Sequence, residues 1–504
     1  MILTLPGESA GQSITLSAMI KKFLLYALPL LLLLSCQERR EAPTVLWGGE
    51  MHNSNASTPE SIDASLNLAA KLGFNSVLAP VSWELLEPSH GQFDFTLVDY
   101  LLKAADKRNL YLGLLWFGTW KNGESSYPPL WVKADTATYF RAPTEVAEKT
   151  GPISPFCKAA LEADAKAFKA LMAHLKKADA NRRVLCVQVE NEVGVFAERD
   201  FSAAGEKAWE ESPWSRSDDP LAPQYFMAEA YARYVDYVAA AGKEAYDIPL
   251  FTNTWLAPAD KAYGKYPNGG PRVAVLDVWK KNAPHLNWLS PDIYGAELKE
   301  MCAAYGEGQP LFIPETNCKA GRYWYALGEA GAKGVFGFGY EENFDDPYYT
   351  AECKVISEMM PLISEGHPMR GFVRIDKKDA PDAVFELPLG NHTFFVHCIE
   401  GEKNAHGIIV QTAPDEFTVA GVGAWIDFGP SERIAFCEEL RDGKRWQVLN
   451  GDETGHHNML YLRGRLDLPE DAPYYGLSFQ RRFRPAYQEL FKVSGIYRIK
   501  LYSL

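Results

Sequence analysis

The chain has 504 residues, a hydrophobic fraction of 47% and a formal net charge of −14, a length that predicts one large core plus a smaller one. The acid excess and the lack of any dense Lys/Arg block exclude a nucleic-acid surface, which needs a concentrated cationic face. The 13 Trp and 25 Tyr suit a neutral or weakly charged ligand such as a sugar, whose apolar C–H face packs on a flat ring.

The amino terminus reads as an export signal: Lys21-Lys22, an apolar run from Phe23 to Leu34, then Ser35-Cys36 and the polar Gln37-Glu38-Arg39-Arg40. The run is shorter than the ~20 residues of a membrane span, and its charged front and small residue before the break fit a signal peptide. Leu33-Leu34-Ser35-Cys36 resembles a bacterial lipobox. That resemblance implies cleavage before Cys36, lipidation of its thiol and a soluble body held to the periplasmic or outer-membrane side of the envelope only by that anchor. Met19-Ile20-Lys21-Lys22 reads as the natural start. Cys157, Cys186, Cys302, Cys318, Cys353, Cys398 and Cys437 are scattered, with no CxxC and no His at metal spacing, so neither a zinc site nor a disulfide framework is indicated.

From residue 44 to about 365, eight apolar runs alternate with helical patterns. The runs are Val45 to Glu50, Ser76 to Glu84, Tyr111 to Gly118, Val184 to Glu192, Leu250 to Trp255, Trp288 to Gly295, Leu311 to Asn317 and Val335 to Glu341. Segments such as Ser61 to Leu72, Leu97 to Lys107, Ala159 to Lys177 and Ala228 to Ala241 carry apolar residues at helical spacing. Strict strand and helix alternation predicts a parallel sheet, and eight repeats close a (β/α)8 TIM barrel. Beyond about residue 366 the pattern shifts to alternating runs separated by Gly, Asn and Asp, at Val373 to Asp376, Ala383 to Leu387, His392 to Ile399, Gly407 to Gln411, Glu416 to Val422, Ala424 to Phe428 and Gly495 to Tyr502. These predict a smaller antiparallel β-sandwich. The expected organisation is a leader and linker at 1–40, a barrel at 41–365 and a β-sandwich at 366–504.

The ends of the eight runs gather Glu50 and His52, Trp83 and Glu84, Trp120, Asn191 and Glu192, Trp255, Tyr294 and Glu315. Strand carboxyl ends of this fold point into the active-site mouth, so this rim is the expected binding pocket. Glu192 and Glu315, ending the fourth and seventh runs, can face each other across a sugar, and two carboxyl groups are the minimum equipment for cleaving a glycosidic bond. The expected roles are Glu192 as acid/base, its pKa raised by desolvation and by Glu315, and Glu315 as nucleophile, held ionised by donors such as the Tyr294 hydroxyl. Glu190 is expected to point into the barrel on the same side as Glu192, as a buried structural acid tied to Lys or Arg. Glu50, His52, Trp83, Glu84, Trp120 and Trp255 are candidate sugar contacts.

Asn191-Glu192 with Glu315 resembles the pattern of clan A retaining glycoside hydrolases. Gly48-Gly49-Glu50-Met51-His52, Val187 to Gly194 and the stretch from Pro80 to Phe95 resemble family 35 β-galactosidases. The resemblance covers residues 44 to about 365, and the carboxyl-terminal β region looks like that of a bacterial subgroup. It implies a retaining exo-β-galactosidase in which Asn191 bonds the sugar 2-hydroxyl, working without metal or organic cofactor. One departure concerns the sugar: the family's Asn-Ala-Glu-Trp-like segment after strand three is replaced by Trp116 to Gly123, which lacks the acid. Lys121 or Asn122 is expected to serve the axial hydroxyl instead, and a different β-linked pyranoside, a glucoside, arabinoside or N-acetylglucosaminide, stays open. A glycan-binding lipoprotein without turnover is the reading from another class; it has no need of both acids.

Overall fold

The eight apolar runs form strands because both faces are covered, one by the barrel interior and the other by helices. The computed structural model describes residues 42–146, 150–257, 261–375, 378–399, 403, 405–441, 444–463 and 493–504. Its barrel strands are β1 (Leu46–Glu50), β2 (Ser76–Ser82), β3 (Tyr111–Lys121), β4 (Val184–Asn191), β5 (Leu250–Trp255), β6 (Trp288–Asp292), β7 (Phe312–Thr316) and β8 (Gly334–Phe338). They pair in parallel in the order β6-β5-β4-β3-β2-β1-β8-β7, and an Ile293–Thr316 bridge brings β6 to β7. Leu78, Leu115, Cys186, Phe251, Phe312 and Phe336 fill the interior.

Each strand is followed by a helix: α1 (Pro59–Leu72), α2 (Thr96–Lys107), α3 (Lys158–Ala178), α4 (Ala222–Ala245), α5 (Leu276–Asn282), α6 (Leu298–Gly306), α7 (Ala320–Gly328) and α8 (Pro347–Ser364). Caps fix several ends. Thr58 and Ser61 form a reciprocal capping box at α1, and Asp346 accepts the Tyr348 and Tyr349 N–H groups at α8; each such cap contributes about 1 kcal/mol.

β3 runs past the expected Gly118 to Lys121 through a bulge. Trp116 pairs with Val189 and Lys121 with Asn191, so β3 carries extra residues against β4. The Glu190 carboxylate holds the excursion, accepting the N–H groups of Thr119 at 3.0 Å and Trp120 at 2.6 Å. Gly118 is required there, because a Cβ would lie 2.5 Å from Glu190 Oε1.

The carboxyl-terminal region is antiparallel, with β9 (Met369–Val373), β10 (Val384–Leu389), β11 (His392–Cys398), β12 (His406–Ala413), β13 (Glu416–Asp427), β14 (Glu432–Arg441), β15 (Arg445–Val448), β16 (Met459–Arg463) and β17 (Gly495–Ser503). The two runs expected at 416–422 and 424–428 are the single strand β13. Its first half pairs with β12 and β17 and its second with β11 and β16. Gly423, at φ 72°, marks the change of partners. Phe394, Phe417, Val419, Ile426, Leu460 and Ile499 belong to the core of this region. Strands β14 to β16 were not expected: Glu432, Arg433, Glu438, Glu439 and Arg441 break the apolar alternation.

Pro43–Leu504 form one compact unit. Val373, Ile408, Val410, Ala420 and Ile496 of the β region share a core with the barrel helices. Glu352 of α8 sits buried at that joint, accepting Trp324 Nε1 at 2.8 Å, the Ser494 N–H at 2.7 Å and the Ser494 hydroxyl at 2.5 Å, with His406 Nε2 3.4 Å away. Among the described residues no helix is long and apolar enough to cross a membrane. The leader and Cys36 lie outside the described residues.

Candidate active site

Two left-handed residues shape the end of β4. Glu190 has φ 63° and Glu192 φ 44°, a conformation that costs a bulky residue about 1–3 kcal/mol and that surrounding contacts must hold. The turn at Glu190 breaks strand alternation. Its carboxylate leaves the barrel interior for the Thr119 and Trp120 amides and for Asp164 of α3, which itself accepts Trp116 Nε1 at 2.8 Å and the Thr119 hydroxyl at 2.8 Å. The expectation of an inward acid tied to a cation is therefore corrected: backbone amides hold it, on the helix side.

Asn191 and Glu192 are both turned toward the mouth. The Glu192 N–H donates to Asn253 Oδ1 at 2.9 Å, and Asn253 Nδ2 donates in turn to Asp292 Oδ2 at 2.9 Å and Glu315 Oε1 at 3.3 Å. Asn191 Nδ2 also reaches Glu315 Oε1 at 3.3 Å, and the Tyr294 hydroxyl donates to Glu315 Oε2 at 2.9 Å. Glu315 is thereby served by three neutral donors from β4, β5 and the end of β6, with Lys121 Nζ at 3.9 Å. Carboxylate oxygens of Glu192, Asp292 and Glu315 lie within 4.8 Å of one another.

Burial governs the protonation of this cluster. Desolvation, reinforced by the Glu315 charge and opposed by Lys121, pushes the Glu192 carboxyl up to about 7. Desolvation first, then Glu315 and Glu192, raise Asp292 well above the usual carboxylate range. Desolvation would lower the Lys121 ammonium, yet Glu315, Glu50, Glu192 and Asp292 together raise it; its Nζ donates to Asn191 Oδ1 at 3.0 Å and lies over the Phe117 ring. Three carboxyl groups this close could also ligate a cation. Protons on Glu192 and Asp292, with the Lys121 charge, relieve the same repulsion without one.

Of the residues expected here, Glu192, Glu315, Asn191 and Tyr294 are assembled at one point. Glu50 joins them: both its oxygens are buried with no hydrogen-bond partner among the described residues, and desolvation and then Glu315 push its carboxyl well up. Such an unsatisfied group costs stability unless something bonds it. Glu84, paired with Lys133 at 2.7 Å, and Asn122 line a polar cavity of about 470 Å³ that also exposes Lys121, Ser82 and Tyr127. His52 stays on the rim beside Glu342, and Trp255 is half-buried, edge-on to Phe196.

Trp83 and Trp120 are corrected. Both are fully buried, Trp83 donating to Glu87 Oε2 and Trp120 to the Ile153 carbonyl, so their rings serve the strand–helix core rather than a sugar. Asp292 was not expected. The alternation Asp292-Ile293-Tyr294 at the end of β6 carries the signal, since it puts the acid on the same side as the tyrosine.

Residues 39–216 match the family model described as Glycosyl hydrolases family 35, and residues 349–460 match a Domain of unknown function (DUF5597). The first match spans β1 to β4, Glu192 included, and stops short of Glu315. No curated protein matches the chain. Similar solved structures include a beta-galactosidase from Bacillus circulans sp. alkalophilus, at TM-score 0.47 and 16% identity over 64% of this chain and 57% of that one. Others are a GH42 beta-galactosidase from G. stearothermophilus, at 0.47 and 15% over 65% and 57%, and a beta-galactosidase from Rahnella sp. R3, at 0.46 and 15% over 66% and 58%. The chain thus spans less than two thirds of the length of these structures.

Proposed function

We propose that this chain is a glycoside hydrolase, and more narrowly a retaining exo-β-galactosidase that removes terminal non-reducing β-D-galactosyl residues from oligo- or polysaccharides. The observation that carries the reading is the pair Glu192 and Glu315, buried at one barrel mouth with oxygens within 4.8 Å. That approach is compatible with the ~5–5.5 Å separation of carboxyl groups used in double displacement.

In the first step Glu315, ordered by Tyr294, Asn191 and Asn253, attacks the anomeric carbon while Glu192 gives its proton to the departing oxygen. The glycosidic bond breaks as the ester to Glu315 forms. In the second step Glu192, now a carboxylate, takes a proton from water, and the resulting attack frees the sugar and restores Glu315. A group with a pKa of about 7 suits both halves, since it gives and regains a proton near neutral pH. Asn191 and Glu50 would hold the sugar hydroxyls. The family-35 match over β1 to β4 supports the galactoside assignment.

The test is a screen of aryl β-galactoside, glucoside, arabinoside and N-acetylglucosaminide, with the product anomer followed by NMR. Fastest release from the galactoside with a β-anomer formed first is expected. An α-anomer would overturn retention, and no turnover of any glycoside would favour a glycan-binding lipoprotein. The signal-like segment and Cys36 support an envelope location, with Cys36→Ser expected to move the protein from the membrane fraction to the soluble one.

A further inference from the structure

A second cavity, of about 600 Å³, opens beside the carboxylate pair on the β6–β8 side and reaches the β region. Tyr294, whose hydroxyl orders Glu315, and Asn317, two residues past Glu315, line it. The cavity is within the ~300–1,000 Å³ of ordinary small-molecule sites. Its lining is cationic in a chain of net charge −14: Lys319 and Arg322 come from the barrel, Arg374 and Lys403 from the β region.

The two acids that also line it are already engaged. Asp346 caps α8, and Glu352 is bonded by Trp324 and Ser494, with His406 beside it. Arg322 donates to the carbonyls of Ile293, Tyr294 and Gly295, which orient its guanidinium, and Glu297 is the carboxylate that acts on its charge. Asn317 adds an independent sign of a ligand: its Oδ1 is buried without a partner among the described residues, an acceptor suited to a sugar hydroxyl.

Resting on the reading above, we propose that this cavity binds an anionic sugar, bearing a uronate carboxylate or a sulfate ester, in the part of the glycan beyond the residue held between Glu192 and Glu315. The β region then takes part in substrate choice, because Arg374 and Lys403 belong to it.

The experiment compares three β-galactosyl disaccharides on the full chain, the second sugar being glucose, glucuronate or glucose 6-sulfate. kcat/KM for an anionic substrate should exceed that for the neutral one by about tenfold, as a few part-exposed ion pairs allow, and the ratio should fall as salt rises. The glucuronate and sulfate arms show which anion is preferred. Lys319→Gln with Lys403→Gln should bring the ratio toward one, whereas Lys→Arg at both positions keeps it. A ratio at or below one for both anions, or one unmoved by the Gln pair, overturns the proposal. Should no disaccharide be cleaved, hydrolysis itself is refuted, and calorimetric binding of glucuronate against glucose decides the cavity alone: preference for glucuronate upholds it, and equal or absent binding sinks it.

Discussion

A single buried carboxyl and a buried cluster of them stand in this molecule under opposite rules. At the joint between barrel and β region, Glu352 is wrapped by Trp324, Ser494 and His406, and although desolvation alone would raise its carboxyl, these partners hold it below the usual range. At the barrel mouth, Glu192, Asp292 and Glu50 are equally deep, have few donors among them, and are all pushed up by desolvation first and then by the Glu315 charge. A saturated carboxylate is fixed and serves architecture. An unsatisfied one holds a transferable proton and lacks a partner that substrate can supply.

The largest test of this contrast removes the proposed nucleophile of the mouth. Glu315→Gln should lower kcat by more than about 10⁴-fold, since no second group can form the ester, while circular dichroism shows an intact fold. Next comes Glu192→Gln, with a loss of about 10²–10⁴-fold on substrates whose leaving oxygen needs a proton and far less on a dinitrophenyl glycoside. In the unsubstituted enzyme kcat/KM should fall as pH rises through about 7, where Glu192 loses its proton. A wild-type profile flat from pH 6 to 9 would falsify the acid assignment.

Stability should respond in the reverse sense. A raised carboxyl pKa favours folding at low pH, and that contribution is lost as pH climbs from the unfolded value toward about 7, so Glu192→Gln should raise stability above neutrality by on the order of 1–3 kcal/mol. The lowered Glu352 contributes stability that is present above its unfolded pKa and lost as pH falls through its folded one. Glu352→Gln should then cost about 3 kcal/mol near neutral pH, converge with the parent in acid, and leave the pH–rate profile where it was. Thermal melts from pH 3 to 9 check both signs.

The contrast also explains what could be read in the sequence. All eight barrel strands were legible, because burial on both faces writes a continuous apolar run. Glu315 and Glu192 were legible because a charge that ends such a run has only the mouth to occupy. Glu190 was misread, since its left-handed backbone at φ 63° cancels the alternation from which its direction was inferred, and nothing in Val189-Glu190-Asn191 announces that turn. Trp83 and Trp120 stand at strand ends as a sugar platform would. What sends Trp83 inward is Glu87, one turn further on in the segment after β2, and what sends Trp120 inward is the Ile153 carbonyl from a long loop. Glu352 gave no local sign either, for its donors come from α7, β12 and the start of β17.

Lys121 provides the smallest and most discriminating test. It is 6% exposed, the cation that the unsatisfied cluster keeps for itself, and it lowers the Glu192 pKa against desolvation and Glu315. Removing its charge in Lys121→Gln should therefore move the descending limb of kcat/KM to higher pH, while the freed Asn191 Oδ1 loosens the sugar contact and raises KM. Chelators should leave both parent and variant unchanged if protons and Lys121 alone relieve the repulsion among Glu192, Asp292 and Glu315. A limb that stays near 7 in the variant, or activity restored only by a divalent ion, would show that a bound cation sets the charge balance of the mouth.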